Sequence, residues 1–454
     1  MTDITEAAPL AEDASRSQVW PAPARGWFAV IVMTLAYIVS YVDRLIMSLL
    51  APDVQLSLSL SDTQVGLLIG FAFAVFYAVM GLPIGWLVDR FNRKWIITSG
   101  IAFWSIMTAL SGLARGFGGL FAARIGVGVG EAALGPGGLS LIADSFPPEK
   151  RARPTGLFTI GGMIGVSAAY VLGAMIIALT KGNGSIVLPV LGELEPWQQT
   201  FLIVSAPGLL VALLMVFVVE PTRRGVKREG RDQAASLGEV LAHMRAHWRV
   251  FRALYLGYAT IHLFIFAFMQ WAPTMFLRRF SMPVEEFGPM YGMASLICGL
   301  AGTWAAIAFA EFLRKRGHQD DLLRALMICM LIGGPPIIVA TLMPSVELTL
   351  ATMIPSMFCL MGTVALSLTA IQNIVPNRAR GLSVAIFFFT TNIVSMSGGP
   401  LLVGLITEFI LRDPQKIHLS LFIVGAIVWP ITVWLYKTGM AGYVEAKRSA
   451  EAGA

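Results

Sequence analysis

Charge is scarce in this chain. Only 13% of its 454 residues are Asp, Glu, Lys or Arg, while 56% are apolar. A soluble globular protein carries about 25% charged residues. The deficit excludes a soluble domain and points to a chain whose solvent is lipid. Cysteine is nearly missing too. Cys298, Cys329 and Cys359 lie inside apolar runs with no metal-ligand or redox spacing, so packing is their expected role. The histidines form no ligand motif. No nucleophile–base pair and no phosphate loop is present, which leaves an enzyme reading unsupported, and no cofactor or metal is expected. The acidic N-terminus (TDITEAAPLAED) lacks a cleavable signal pattern, so the first apolar run is expected to act as its own insertion signal.

Long apolar runs are what the chain has instead. They fall near 26–50, 63–88, 95–114, 118–143, 155–179, 199–219, 252–276, 286–311, 322–343, 348–373, 382–410 and 418–436. About 20 apolar residues suffice to cross a bilayer as a helix. Barrel strands would be about ten residues long with alternating polarity. The expected fold is an all-α membrane protein with twelve transmembrane helices in two pseudo-symmetric six-helix bundles. The expected layout is a cytoplasmic tail (1–24), a first bundle (25–219), a linker (220–250), a second bundle (251–437) and a cytoplasmic tail (438–454).

The pI of 9.3 raises the question of nucleic acid, and the charge distribution answers it. With the N-terminus placed in the cytoplasm, only Arg115, Lys181, Arg278, Arg279, Arg412 and Lys416 lie on the outer side, with Arg44 and Arg124 inside spans. The remaining basic residues are cytoplasmic, the positive-inside pattern. Both termini then face the cytoplasm, membrane lipids are the natural neighbours, and no nucleic acid is expected. In the linker, Leu237, Leu241, Met244, Trp248 and Phe251 share one helical face, as in an amphipathic helix lying on the membrane surface.

The two halves repeat. SLIADSFPPEKRARPTGL follows the fourth run and SLTAIQNIVPNRARGLS the tenth, aligning Arg151 and Arg153 with Arg378 and Arg380. Gly66 and Gly70 open the second run as Gly288 and Gly292 open the eighth. Repeats related by an axis along the membrane normal rock about a central site in alternating-access transporters.

Asp43, Arg44, Arg124 and Glu131 sit at bilayer depth. A charge there costs roughly 3 kcal/mol or more, so four of them call for a use. Arg124 and Glu131 are two helical turns apart and share one face, and the glycines of Arg124-Ile-Gly-Val-Gly-Val-Gly-Glu131 admit a close neighbour. Asp43 and Arg44 are adjacent and diverge by about 100°. One is expected to face a cavity and the other a neighbouring helix such as the fourth. Two plainer alternatives stand beside this: an ion pair that only fixes packing, and an Asp43-Arg44 pair that reaches the outer surface near Pro52 and Asp53. After the second run, Gly85, Asp89, Arg90, Arg93 and Lys94 form Gly-x-x-x-Asp-Arg-x-x-Arg-Lys, with Asn92 where glycine is common. Asp89 suits a latch to a helix N-terminus or a basic group, closed in one state and broken in the other.

Taken with Gly128-Val-Gly-Glu131-Ala132 and Leu141-Ile-Ala-Asp144-Ser-Phe-Pro147, the Asp43-Arg44 pair and this loop resemble the spinster branch of the major facilitator superfamily. The superfamily resemblance covers about 25–437, and its branch-specific part lies in the first half. It implies secondary transport, with animal members moving lysophospholipids or sphingosine phosphate, and composition suggests a bacterial inner-membrane member. In the second half, His262, Gln270 and Asn392 stand among many aromatics and methionines without mid-span charge. A cavity charged on one wall and greasy on the other suits an anionic or zwitterionic amphiphile. Proton coupling is assigned to Asp43 and Glu131, and substrate binding to Arg44, Arg124, Tyr41, His262, Gln270 and Asn392. Both carboxylates are expected to compete for the two arginines, one taking a proton when substrate displaces it. The expected partners are protons, an amphiphile or organic anion, and lipids, on a monomeric chain. Small organic anions such as sugar or aromatic acids are the alternative substrates. A receptor or scaffold that moves nothing is the alternative from another class.

Overall fold

The computed structural model describes residues 20–189, 192–223 and 236–452. Among these, twelve helices are long and apolar enough to cross a membrane. They are α1 (Pro23–Leu49), α2 (Asp62–Arg90), α3 (Arg93–Gly112), α4 (Phe117–Ser145), α5 (Ala152–Asn183) and α6 (Pro196–Val216) in the first half. The second half has α7 (Trp248–Phe280), α8 (Val284–Lys315), α9 (Asp321–Ala340), α10 (Val346–Ile374), α11 (Asn377–Leu411) and α12 (Pro414–Ala450). The start of α1 and the end of α12 lie at one end of the bundle, called here the terminal face; the other end is the distal face.

Local sequence sets the helix boundaries. Asn92 caps α3 by accepting from the Trp95 amide, and Ser345 caps α10 by accepting from Leu348. Both halves break their fourth helix at the same station, Ala132-Ala133 in α4 and Met361-Gly362 in α10. Each break is followed by a short 3-10 turn, Pro148–Lys150 and Asn377–Ala379, which matches the sequence repeat. On the distal face, the 181–199 connection forms an antiparallel hairpin of β1 (Ile186–Leu188) and β2 (Gly192–Leu194).

Two expectations change here. The final helix does not stop near 436; it runs to Ala452, because nothing breaks it and its extension packs, with Tyr443 and Ala446 buried and Lys447 paired to Asp321. The linker helix (Leu237–Ala246) is shorter than expected: Val240 is buried against the bundle, Leu237 and Leu241 are exposed, as a helix lying on the membrane surface leaves them, and Trp248 is exposed on the next helix. The chain turns at His247, so Trp248 and Phe251 belong to α7 and do not continue the linker helix. The His243 ring donates to the Ile374 carbonyl at 3.0 Å, which fixes the packed face.

The halves meet at the distal end and part at the terminal end. A Cβ on Gly66 of α2 would stand 2.8 Å from the Pro400 carbonyl oxygen of α11, so only glycine permits that approach. Three π-helical segments, Leu67–Phe71, Asn392–Ser397 and Ile406–Leu411, lie along this α2–α11 pair. From α5, Ser167 donates to the Gly292 carbonyl of α8 and Tyr170 to the Met269 carbonyl of α7. Toward the terminal face the same helices separate. Around Gly81 and Gly85 of α2, Gly156 of α5 and Gly381 of α11 there is open space.

Candidate functional site

The four deep charges converge in the first half, where α1, α3 and α4 meet. Gly130 lets α3 approach α4 so closely that a Cβ there would stand 2.8 Å from both the Gly100 carbonyl oxygen and Trp104. Arg44 Nη2 donates to Glu131 Oε2 at 2.6 Å. Arg124 donates from its two Nη atoms to the backbone carbonyls of Asp43 and Arg44, at 3.0 and 3.1 Å. The Asp43 carboxylate accepts from Trp104 Nε1 at 3.1 Å. Asp43 and Arg44 therefore diverge as helical geometry requires, one toward α3 and the other toward α4.

The set differs in burial and in spare capacity. Arg124 and Asp43 are 0% exposed, Glu131 2% and Arg44 9%, so Arg44 is the member nearest open space. Asp43 Oδ1, Glu131 Oε1, and the Nε atoms of Arg44 and Arg124 have no hydrogen-bond partner among the described residues. A buried polar group left unsatisfied costs about 1–3 kcal/mol. Buried polar groups are normally bonded, so four such atoms in one cluster single it out as the candidate site. Rings crowd Arg44: Tyr41 at 4.8 Å, Phe73 at 4.5 Å and Tyr77 at 5.4 Å from its guanidinium carbon.

The expected rivalry of two carboxylates for two arginines is not what this conformation holds. Only Glu131 engages an arginine side chain; the Asp43 carboxylate is taken by an indole, and Arg124 spends its fork on α1 carbonyls. A spacing argument along one helix sees neither Trp104 nor backbone acceptors. Nor could it see Phe73 and Tyr77, which α2 brings in and which carry no periodic signal of their own.

On the opposite wall, His262 is half-buried, stacks on Tyr258 at 3.6 Å and bonds through Nδ1 to the Tyr258 carbonyl at 3.0 Å. Asn392 is half-buried and opens a π segment. Gln270 does not line a cavity in this conformation. It is 0% exposed, is bonded by Ser48, and donates to the Ile69 carbonyl at 2.7 Å, so it seals one half to the other.

The loop after α2 is unlatched in this conformation. The Asp89 carboxylate is exposed and makes no bond among the described residues; its backbone carbonyl accepts from Arg223. Arg93 is the buried member, bonded to Asp144 and, at 2.7 Å, to Glu220. The Lys94 amide donates to Glu220 at 2.9 Å, and Arg90 lies 4.1 Å over the Trp86 ring. These contacts stay within one half. A latch across the halves has no partner within reach while the terminal face is open, and Gly85 there faces open space.

The distal face is closed by charge, a feature the sequence reading missed. Arg278 of α7 pairs with Asp62 of α2 at 2.6 Å, and Gln55 bonds both. Glu408 of α11 accepts from the Thr63 amide at 2.9 Å. Lys181 of α5 bridges Asp53 at 3.1 Å and Glu285 of α8 at 3.3 Å. Burial raises the Asp53 carboxyl above its ordinary value, and Lys181 works against that shift. The only sequence signal was that Arg278 and Lys181 are among the few basic residues on the outer side.

Comparison with known proteins fits this geometry. The Major Facilitator Superfamily model matches residues 33–400. An MFS-type efflux pump of Mycolicibacterium smegmatis is 28% identical over 423 residues, covering 91% of this chain and 93% of that protein. Protein spinster homolog 1 of Homo sapiens is 28% identical, covering 87% of this chain and 76% of that protein. A protein described as a probable galactarate/D-glucarate transporter of Bacillus subtilis is 27% identical, covering 88% and 89%. The crystal structure of a bacterial homolog of the human lysosomal transporter spinster, inward-facing and unoccupied, superposes with a TM-score of 0.76 at 25% identity, covering 94% of this chain and 98% of that one. The chain belongs to the Major Facilitator Superfamily, in its spinster-like branch, and is a membrane transporter and not an enzyme.

Proposed function

We propose that this protein is a proton-coupled secondary transporter of an anionic or zwitterionic amphiphile, such as a lysophospholipid or sphingolipid-like molecule, in a bacterial inner membrane with both termini cytoplasmic. The bundles 25–219 and 251–437 rock about the central cavity, and the conformation described is the one open to the cytoplasm. The observation that carries the reading is Arg44. It is held by a single bond to Glu131, keeps Nε free, and is walled by Tyr41, Phe73 and Tyr77. A guanidinium so placed suits a phosphate or carboxylate, and the rings suit the first methylenes of a tail. When substrate takes Arg44, Glu131 loses the partner it has among the described residues and, at low dielectric, takes a proton. Arg124 serves by fixing the α1 backbone beneath Arg44, with Asp43 held by Trp104. His262 and Asn392 stand on the facing wall.

Small organic anions are the second reading, supported by the likeness to the galactarate/D-glucarate transporter. Purified protein in proteoliposomes, given labelled lysolipid or labelled sugar acid under an imposed proton gradient, separates the two. Gradient-driven lysolipid uptake is the expected result. Uptake of the acid alone, or competition by the acid and not the lipid, overturns the first reading. Binding without exchange across the sealed membrane overturns both.

A further inference from the structure

The terminal face carries basic residues in two conditions. Around the α8–α9 connection most are matched: Arg314 and Lys315 with Glu311, Arg324 with Asp320, and Lys447 with Asp321, while Arg316 lies over the Phe312 ring. Between α7 and α12 they are not. Arg249, Arg252 and Lys437 take part in no ion pair among the described residues. Arg252 donates from Nη2 to Thr438 Oγ1 at 3.0 Å, and its guanidinium lies 4.8 Å over the Trp434 ring. Its Nε is shut off from water and has no partner among the described residues. Arg249 stands one turn nearer the termini on the same face of α7, with its side chain against Gly442 of α12. Lys437 is exposed one turn beyond Trp434 on α12.

Toward the bilayer middle the same groove turns apolar. Trp434 is 54% exposed, and Ile431, Ile427 and Leu256 are exposed beyond it. Read from the rim inward, the groove offers fixed cations, an indole, then an aliphatic strip. That order matches the headgroup, glycerol and acyl chain of one phospholipid. Indole rings settle at the glycerol level of a bilayer. A guanidinium with spare donors is suited to phosphate.

We propose that the α7–α12 groove is a binding site for an anionic phospholipid. Arg252 holds the phosphate, Arg249 and Lys437 flank it, Trp434 covers the glycerol, and the acyl chain follows Ile431, Ile427 and Leu256. The site lies on the outer wall of the second half. It is separate from Arg44 and Glu131, which belong to the first half.

Native mass spectrometry of the delipidated full chain tests this, using phosphatidylglycerol and phosphatidylcholine with identical acyl chains. The wild type is expected to retain phosphatidylglycerol at about tenfold lower concentration than phosphatidylcholine. Arg252→Ala and Arg249→Ala should each shrink that preference about fivefold, as expected for loss of one basic contact. Lys315→Ala, which removes a matched cation, should leave it intact, and glycerol phosphate should not compete. Lipid-free melting curves check the fold, and Lys437→Ala, an exposed change, carries the test should the Arg252 variant unfold. Equal retention of the two lipids by the wild type overturns the site. So does an undiminished preference in the arginine variants. A loss in Lys315→Ala as large as that in Arg252→Ala would mean diffuse surface charge, and competition by glycerol phosphate would mean a free-phosphate site; either refutes the lipid groove.

Discussion

In α4, Arg124 and Glu131 lead up to the break at Ala132; in α10, Met353 and Leu360 hold the same stations before the break at Met361. All four are buried, at 0, 2, 0 and 4% exposure. The two halves repeat one backbone, yet one has an ionic centre and the other an apolar one. Under the proposed function, the ionic half exchanges an arginine between a carboxylate and a ligand. The apolar half can only offer shape, through His262, Tyr258 and the nearby phenylalanines. Symmetry of fold therefore does not carry symmetry of chemistry, and the coupling is expected to live on one side.

The sharpest way to break this comparison is Arg124→Ala. It leaves the Asp43 and Arg44 carbonyls of α1 unpaired and takes one of two cations out of a buried four-charge set, and removing one member of a buried charge network costs about 3–5 kcal/mol. Transport should vanish and the melting temperature in detergent should fall well below that of Met353→Leu, which costs less than about 1.5 kcal/mol as a volume-conserving swap. Equal melting temperatures would erase the difference between the halves. Glu131→Gln comes next. Proton-driven uptake should drop by about 100-fold, at the low end for loss of a positioned acid–base group, while exchange without a gradient survives. Uptake that still follows the gradient would remove Glu131 from the coupling role.

A smaller effect is expected at the distal clamp, where the halves touch. Arg278→Ala leaves Asp62 buried with Gln55 but without its cation, and should move the population toward a distal-open state, read as faster labelling of a cysteine placed at Ser167, which is buried against Gly292 of the other half. No gain in labelling would show that the glycine contacts alone hold the closure. Acid should act in the same direction. Because burial raises Asp53, the Lys181 bridge is present above that raised value and is lost as pH falls through it. The native state gains the proton more readily than the unfolded chain, so Asp53 itself does not make acid unfold the protein. Labelling should increase with acid in the wild type and lose this pH-dependent part in Asp53→Asn. The smallest effect belongs to His262→Phe, which keeps the stack on Tyr258 and should change transport by no more than about threefold, within the range of a single neutral hydrogen bond.

Much of the architecture was legible in the sequence because lipid imposes it. Hydrophobic run length, basic asymmetry and the 140–157 and 367–383 repeat do not depend on tertiary detail. The four deep charges were legible for the same reason: each is too costly at that depth to be incidental. Their partners were not. Trp104, Phe73 and Tyr77 come from helices whose rotation is set by packing, and Gln270 looked like a cavity residue until Ser48 and Ile69 enclosed it. Asp89 was legible as a motif, while the lack of a partner for its carboxylate among the described residues goes with the parted terminal ends of the halves.

The sequence by itself determined that this chain spans a membrane as two repeated six-helix halves with its ionic groups in the first. Those features follow from what one segment costs in hydrocarbon, and segment costs add along the chain. Only the tertiary structure decided which carboxylate holds Arg44, that Arg124 braces α1 and leaves Glu131 to Arg44, and that charged bridges close the distal face. Those outcomes depend on helix rotation and on a choice between two packings of the halves that differ by only a few kcal/mol, and such a choice is not written in any one segment.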